Sequence, residues 1–92
     1  HVHTRYSLLD GTIKRTDLIK RAKELNMSAV CITEHGNLLN AVDFHTKAIE
    51  AEVKPIIGLE AYVSPISFDK SERAKYNDHI LLLAKNMIIF YC

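Results

Sequence analysis

The chain has no run of about eighteen apolar residues, and no basic segment leading into an apolar one at its start. Neither a membrane helix nor a secretion signal is visible, so a soluble, cytoplasmic setting is expected. Cysteine is scarce: Cys31 sits in an apolar run, Cys92 is the last residue, and there is no CxxC pair. That excludes a disulfide framework, fits a reducing compartment and requires no function of either thiol. Charge of one sign is lacking too. Twelve Lys and Arg stand against eleven Asp and Glu, a net +1, so composition supplies no broad positive field for a nucleic-acid backbone, and any phosphate chemistry must come from a local site. Internal repeats and low-complexity segments are absent. With 92 residues, 48% of them hydrophobic, the chain holds one small domain with a modest core and no second domain. It opens on His and closes on "MIIFYC", and both ends read as cut, as in a piece of something larger.

What is present is an alternation of helical and β patterns. Thr16 is placed to cap a helix in which Leu18, Ile19, Ala22 and Leu25 recur at helical spacing, leaving Lys14, Arg15, Lys20, Arg21 and Lys23 for solvent. "SAVCIT" (28–33) reads as a buried strand that delivers Glu34, His35, Gly36 and Asn37 in a loop at its C-terminal end. A second amphipathic helix is expected over about Leu39 to Glu52, with Val42, Ile49 and the alanines on one side. Asn37 is its expected cap, and Gly36 allows the bend before it. "KPIIGLEAYV" follows as a strand, a polar stretch (64–78) as a loop or weak helix, and "HILLLA" as another strand. Such alternation predicts an α/β architecture with a parallel sheet and crossover helices. Phe44, Tyr62, Leu81 and Leu83 read as core.

In parallel α/β folds, side chains at the C-terminal ends of strands converge on one face, where sites are built. His1 and His3 alternate with Val2, and this segment reads as the first strand, on which both imidazoles point to one face. His35 follows the second strand and Glu60 sits late in the third, whereas His79 begins its apolar run instead of ending it. Imidazoles and carboxylates together form a mixed nitrogen and oxygen set that suits Zn, Mn or Fe. Such ligands around two or three ions could activate a water and clamp a phosphate oxygen, which is the chemistry of phosphoester hydrolysis. Each residue also has a plainer reading. His1 could be a frayed terminus, and Asp10 before Gly11 a turn residue as well as a ligand. Glu60 in an apolar run must be paired, metal-bound or turned to solvent. His45 reads as a surface residue, and Arg5 and Lys85 as solvated cations or phosphate contacts.

"HVHTRYSLLDG", "ITEHGNLLNAVDFHTKAIEAEVKPIIGLEAYV" and "HILLLAKN", taken in order over about residues 1 to 86, resemble the start of the PHP (polymerase and histidinol phosphatase) domain of bacterial DNA polymerase III alpha subunits. The resemblance implies a partial (β/α) barrel, about the first three to four strands of a seven-stranded PHP barrel, with residues 1–92 as an N-terminal fragment of the domain. It implies a cluster of up to three divalent metal ions (Zn, Mn or Mg) and proposes as ligands His1, His3, Asp10, His35, Glu60 and His79. Glu34 stands where the family usually has aspartate, one methylene longer, which could shift a hydrogen bond to His35 or change its tautomer; it is assigned to the layer behind the ligands. Further ligands of the family pattern would lie beyond residue 92, so a full trinuclear site is not expected in this chain.

The function implied is that of a metal-dependent phosphoesterase or 3′–5′ exonuclease-type module supporting DNA replication. Its partners would be DNA and the other polymerase III subunits through a full-length nucleotidyltransferase, and the fragment itself would be inactive. A structural, catalytically inactive PHP module and a free-standing PHP-family phosphatase are the alternatives. Three strands of a closed barrel would leave unpaired edges and an exposed apolar face, so the chain is expected to oligomerise, swap segments or be marginally stable.

Overall fold

A computed structural model describes residues 1–7, 11–63 and 78–86. Two helices, α1 (Arg15–Glu24) and α2 (Ala41–Glu50), alternate with the strands β1 (Ala29–His35), β2 (Lys54–Val63) and β3 (Asp78–Leu83). The strands form one sheet in the order β1-β2-β3. β1 and β2 run parallel, from Ala29 opposite Lys54 to His35 opposite Glu60, with α2 as the crossover that parallel pairing requires. β3 runs antiparallel to β2, with Gly58 opposite Leu83 and Val63 opposite Asp78. The architecture is therefore mixed α/β, and the wholly parallel sheet expected from the alternation is corrected at β3. The antiparallel direction accounts for His79: the first residues of β3 lie beside the last residues of β2, so His79 stands opposite Tyr62 at the same end as His35 and Glu60.

Residues paired across a sheet share a face. Val30 and Ile32 of β1 with Ile57 of β2 meet the helices, where Ile19, Ile32, Phe44 and Ala48 form the buried core and Leu18 and Ala51 pack against it. Alternation along both strands turns Thr33, His35, Gly58 and Glu60 to the other face, on which no helix packs among the described residues. α1 shows helical spacing in its buried Ile19 and Ala22, with Asp17 in its first turn and Arg21 and Lys23 in its last, as the helix dipole favours.

Both helices end in the same way. Asn26 (φ 55°) and Glu52 (φ 61°) take left-handed conformations. Met27 N–H bonds Ala22 O at 2.9 Å and Asn26 N–H bonds Lys23 O at 3.0 Å, while Val53 N–H bonds Ala48 O and Glu52 N–H bonds Ile49 O, each at 2.9 Å. These are Schellman pairs, which satisfy the last carbonyls and turn the chain into the following strand.

Several local expectations are corrected. Lys14, not Thr16, is the N-cap residue of α1, and no side chain caps it. Asn40, not Asn37, is that of α2. Glu34 and His35 belong to β1 and not to the loop after it. Val42 and Ile49 share a side of α2, but it is the solvent side, at 71% and 56% exposure. Phe44 is fully buried, whereas Leu25, Tyr62, Leu81 and Leu83 are exposed. Arg15 is not left to solvent: its guanidinium bonds Tyr6 Oη at 2.8 Å and Asn40 Oδ1 at 3.3 Å and pairs with Asp43. The strand 54–63, the surface position of His45 and the bend at Gly36 stand as expected. The polar stretch expected as a loop lies outside the described residues except for Asp78.

Candidate metal centre

The first residues lie along the edge of β1 that β2 leaves free. Thr33 N–H bonds Val2 O at 2.9 Å, Val2 N–H bonds the Thr33 hydroxyl at 2.8 Å, and Arg5 N–H bonds Ile13 O at 3.1 Å. Gly11 is required where the chain returns, because a Cβ there would stand 2.1 Å from Thr4 O. This lashing carries His1 and His3 to the C-terminal end of β1, although neither lies in a strand.

Four imidazoles then converge on one carboxylate. Glu60 is 2% exposed. On its Oε2 side stand His1 Nδ1 at 2.7 Å and His3 Nε2 at 3.1 Å; on its Oε1 side stand His79 Nδ1 at 2.8 Å and His35 Nδ1 at 3.5 Å. The rings of His3 and His35 stack at 3.9 Å and 9°, and the edge of His79 meets His35 at 5.6 Å. Burying a carboxylate is costly unless it is paired and hydrogen-bonded, and among the described residues four imidazole nitrogens that can donate a proton or ligate a cation stand against its two oxygens.

His1, His3 and Glu60 form one group, and His35, Glu60 and His79 another, in each of which one ligand atom per residue lies within 4.8 Å of the others. Ligand atoms about 2.0–2.1 Å from a tetrahedral zinc are about 3.3 Å apart, and the nitrogen to oxygen distances of 2.7–3.5 Å straddle that separation. The donor set, imidazole nitrogen with carboxylate oxygen and no thiolate, suits Zn or Mn. By spacing and by chemistry the residues present fit a divalent cation on each side of Glu60.

Five of the six candidate ligands are thus brought together, and Asp10 lies outside the described residues. Glu34 is 1% exposed, but its carboxylate does not reach His35 as anticipated. It accepts Thr4 N–H at 3.1 and 3.2 Å, the Thr4 hydroxyl and the Ser7 hydroxyl. The link to His35 runs through Ser7, whose Oγ accepts the His35 backbone N–H at 3.0 Å. Thr4 Oγ1 also accepts from Asn40 Nδ2 at 3.2 Å, which extends the buried polar chain to Arg15. Arg15 and, beside it, Arg5 lower the pKa of the Tyr6 phenol. Burial raises that of the Cys31 thiol, away from the reactive range.

Sequence reasoning passed over Ser7 and Thr4 and read Tyr62 only as core. For Tyr62 a signal existed, since it follows Glu60 by two residues on a strand and so shares its face. Its ring meets His79 edge-on at 4.9 Å. The same ring covers residue 36, where a Cβ would stand 2.7 Å from it and φ is +59°, so glycine is required twice over. Nothing in the pattern marked Ser7 or Thr4, because a hydroxyl becomes a partner only once the fold brings Glu34 to it.

The chain is 47% identical over 89 residues to DNA polymerase III subunit alpha of Borreliella burgdorferi, an alignment spanning 94% of this chain and 8% of that protein. The corresponding subunits of Helicobacter pylori and Aquifex aeolicus are 48% identical over 86 residues and 46% identical over 95; each alignment covers 94% of this chain, and 7% and 8% of those proteins. The chain therefore spans less than a tenth of the length of these relatives. The PHP domain matches residues 1–90, and since that span takes in all four imidazoles together with Glu60 and Glu34, the chain belongs to the PHP domain family.

Proposed function

We propose that the chain is the N-terminal part of a PHP domain of a DNA polymerase III alpha subunit, and that it contributes to a divalent metal centre of the phosphoesterase or 3′–5′ exonuclease type. The observation that carries this reading is the convergence of four imidazoles on both oxygens of the buried Glu60. His1 and His3 would hold a cation with Oε2, and His35 and His79 one with Oε1, Asp10 being a further ligand. Zn, Mn or Mg would be the ion, and up to three would be held by the complete domain. Bound there, a divalent cation supplies a Lewis acid for a phosphate oxygen and lowers the pKa of a ligated water. The chain's own part is positional. Stacking of His3 on His35 holds two donors in parallel, Tyr62 limits the swing of His79, and Thr4, Ser7 and Glu34 brace the segment that carries His1 and His3.

The three-stranded sheet is inferred to belong to the seven-stranded barrel, because the site face has no helix on it among the described residues and the relatives extend far beyond the aligned region. In the whole protein, DNA and the other replicase subunits would be the partners and the cytoplasm the setting. Among the described residues no helix is long and apolar enough to cross a membrane. Elemental analysis of the purified chain beside a His3→Ala, His35→Ala double variant tests the reading. Stoichiometric divalent metal in the first and its loss in the second is expected; equal, near-zero metal in both would leave the domain a structural one.

A further inference from the structure

We propose that Arg5 and Arg15, gathered on the ring of Tyr6, form a binding site for a phosphate group beside the metal centre. The site uses no metal, so it stands or falls apart from the metal-binding reading above.

The guanidinium carbons of Arg5 and Arg15 lie 5.7 and 5.4 Å from the centroid of the Tyr6 ring, within the range in which an aromatic face attracts a cation. Two like charges are thereby held on one side chain. Asp43 pairs with Arg15, but no carboxylate among the described residues pairs with Arg5. Arg15 is firmly set: its side chain is 18% exposed, its Nε faces Asp43, and the two hydrogens of Nη1 go to Tyr6 Oη at 2.8 Å and Asn40 Oδ1 at 3.3 Å. A guanidinium carries five N–H groups and no acceptor, so both hydrogens of Nη2 are left without a protein partner among the described residues. Arg5 is exposed and brings a second fork of donors. The Tyr6 oxygen cannot occupy them all, because Arg15 already takes one of its two lone pairs. The result is a spot rich in charged donors and poor in acceptors.

An anion that fills such a spot must accept from two guanidinium groups at once. The two oxygens of a carboxylate are used up by a single fork, whereas a tetrahedral phosphate has oxygens to spare for the second. The place of the site also speaks for phosphate. Asn37 Nδ2 donates to Tyr6 O at 3.2 Å and to His35 O at 3.0 Å, so one amide ties this segment to a candidate ligand, and the segment that carries Arg5 is the one that carries His1 and His3. A net charge of +1 gives no broad field, so a phosphate must be held by local contacts of this kind, which position a ligand without reading its bases. A phosphodiester of a nucleic-acid backbone and the terminal phosphate of a nucleotide share the required chemistry.

Titration of the 15N-labelled, metal-free chain with inorganic phosphate, read at the Nε–Hε signals of its arginines, tests the site. The signals of Arg5 and Arg15 are expected to shift together and ahead of that of Arg21, which pairs with Glu24 on the exposed side of α1. Arg5→Ala, at an exposed position, should weaken phosphate binding about tenfold or more, while Lys20→Ala, which removes the same charge elsewhere, should leave it unchanged. Thymidine monophosphate and a thymidine oligonucleotide without terminal phosphates separate the sources. A loss in Arg5→Ala that extends to the oligonucleotide assigns the site to a backbone phosphodiester, a loss confined to the monophosphate and inorganic phosphate assigns it to a terminal phosphate, and either upholds the site. Small, equal shifts of all the arginines, or the same loss in Lys20→Ala as in Arg5→Ala, would overturn it, since only overall charge would then be sensed. A chain that binds no Zn²⁺ yet binds phosphate through Arg5 would end the metal reading and leave this site standing.

Discussion

Replacing Glu60 by Gln should separate a metal centre from a mere cluster of imidazoles. Each oxygen of Glu60 serves a different pair of histidines, so an amide withdraws the negative charge from both groups and leaves one of them facing an NH₂ that cannot ligate. A ligand bound only to the native state stabilises it by RT ln(1 + [L]/Kd), about 2.7 kcal/mol at a free concentration a hundred times Kd. For a domain of this size each kcal/mol is worth about 4–8 °C in Tm, so the wild-type chain should gain about 11–22 °C in Zn²⁺ over its chelator-treated Tm. Changes behind metal ligands cost about 10–100-fold in affinity, and loss of a shared ligand should cost at least the upper end. Glu60→Gln would then sit at a free concentration near its own Kd and gain about 0.4 kcal/mol, or about 2–3 °C. Differential scanning fluorimetry, each variant compared with its own metal-free state, reads the difference. His45→Ala, on the exposed side of α2, serves as control and should keep the wild-type gain. A Glu60→Gln chain that gains as much as the wild type would refute the reasoning, because the carboxylate would then not be a ligand.

Phe44 is fully buried between α2 and the sheet; Phe44→Ala should cost about 3–5 kcal/mol, seen as a fall in the urea midpoint of on the order of 2 M or as loss of cooperative unfolding, and a near-wild-type midpoint would contradict the core assignment. Glu52 pays for a left-handed backbone at φ 61°, so Glu52→Gly should stabilise by about 0.5–1 kcal/mol once the greater freedom of glycine in the unfolded chain is deducted, and a lower Tm would show the strain is not there. Every residue of β3 is exposed, and Ile80, Leu81, Leu82 and Leu83 are 39–54% accessible, so the isolated chain should form dimers or larger species in size-exclusion chromatography with light scattering; a monodisperse monomer at high concentration would contradict this.

How much was legible in the sequence follows from what each signal depends on. Period-2 and period-3.6 patterns report local burial, and they located both helices and the three strands of the described residues, whereas the first strand expected at His1 to His3 is an extended edge segment held to β1 only by the Val2 and Thr33 hydrogen bonds. They could not report the direction of β3. An apolar run such as Ile80 to Leu83 reads the same in either sense, so His79 looked misplaced until antiparallel pairing put the beginning of β3 beside the end of β2. Exposure of Tyr62, Leu81 and Leu83 was misjudged for a related reason: hydrophobic composition marks a surface that needs cover, and no described element covers this face. The candidate ligand set, itself a proposal, was readable because metal chemistry restricts residue types, and the family resemblance supplied the grouping that spacing alone left open. The support beneath it was not. Glu34 was expected to bond its neighbour His35, but alternation along β1 sends successive side chains to opposite faces, and the carboxylate instead meets Thr4 and Ser7 from a segment some thirty residues earlier in the chain.

The central claim, that Glu60 is shared by two pairs of imidazoles to hold divalent cations, is tested most directly by anomalous diffraction from crystals of the chain grown with Zn²⁺. Anomalous peaks within ligand distance of Glu60, one beside His1 and His3 and one beside His35 and His79, are the predicted result. Zinc found only at surface sites such as His45, with the Glu60 carboxylate hydrogen-bonded to the four imidazoles and no peak between them, would contradict it.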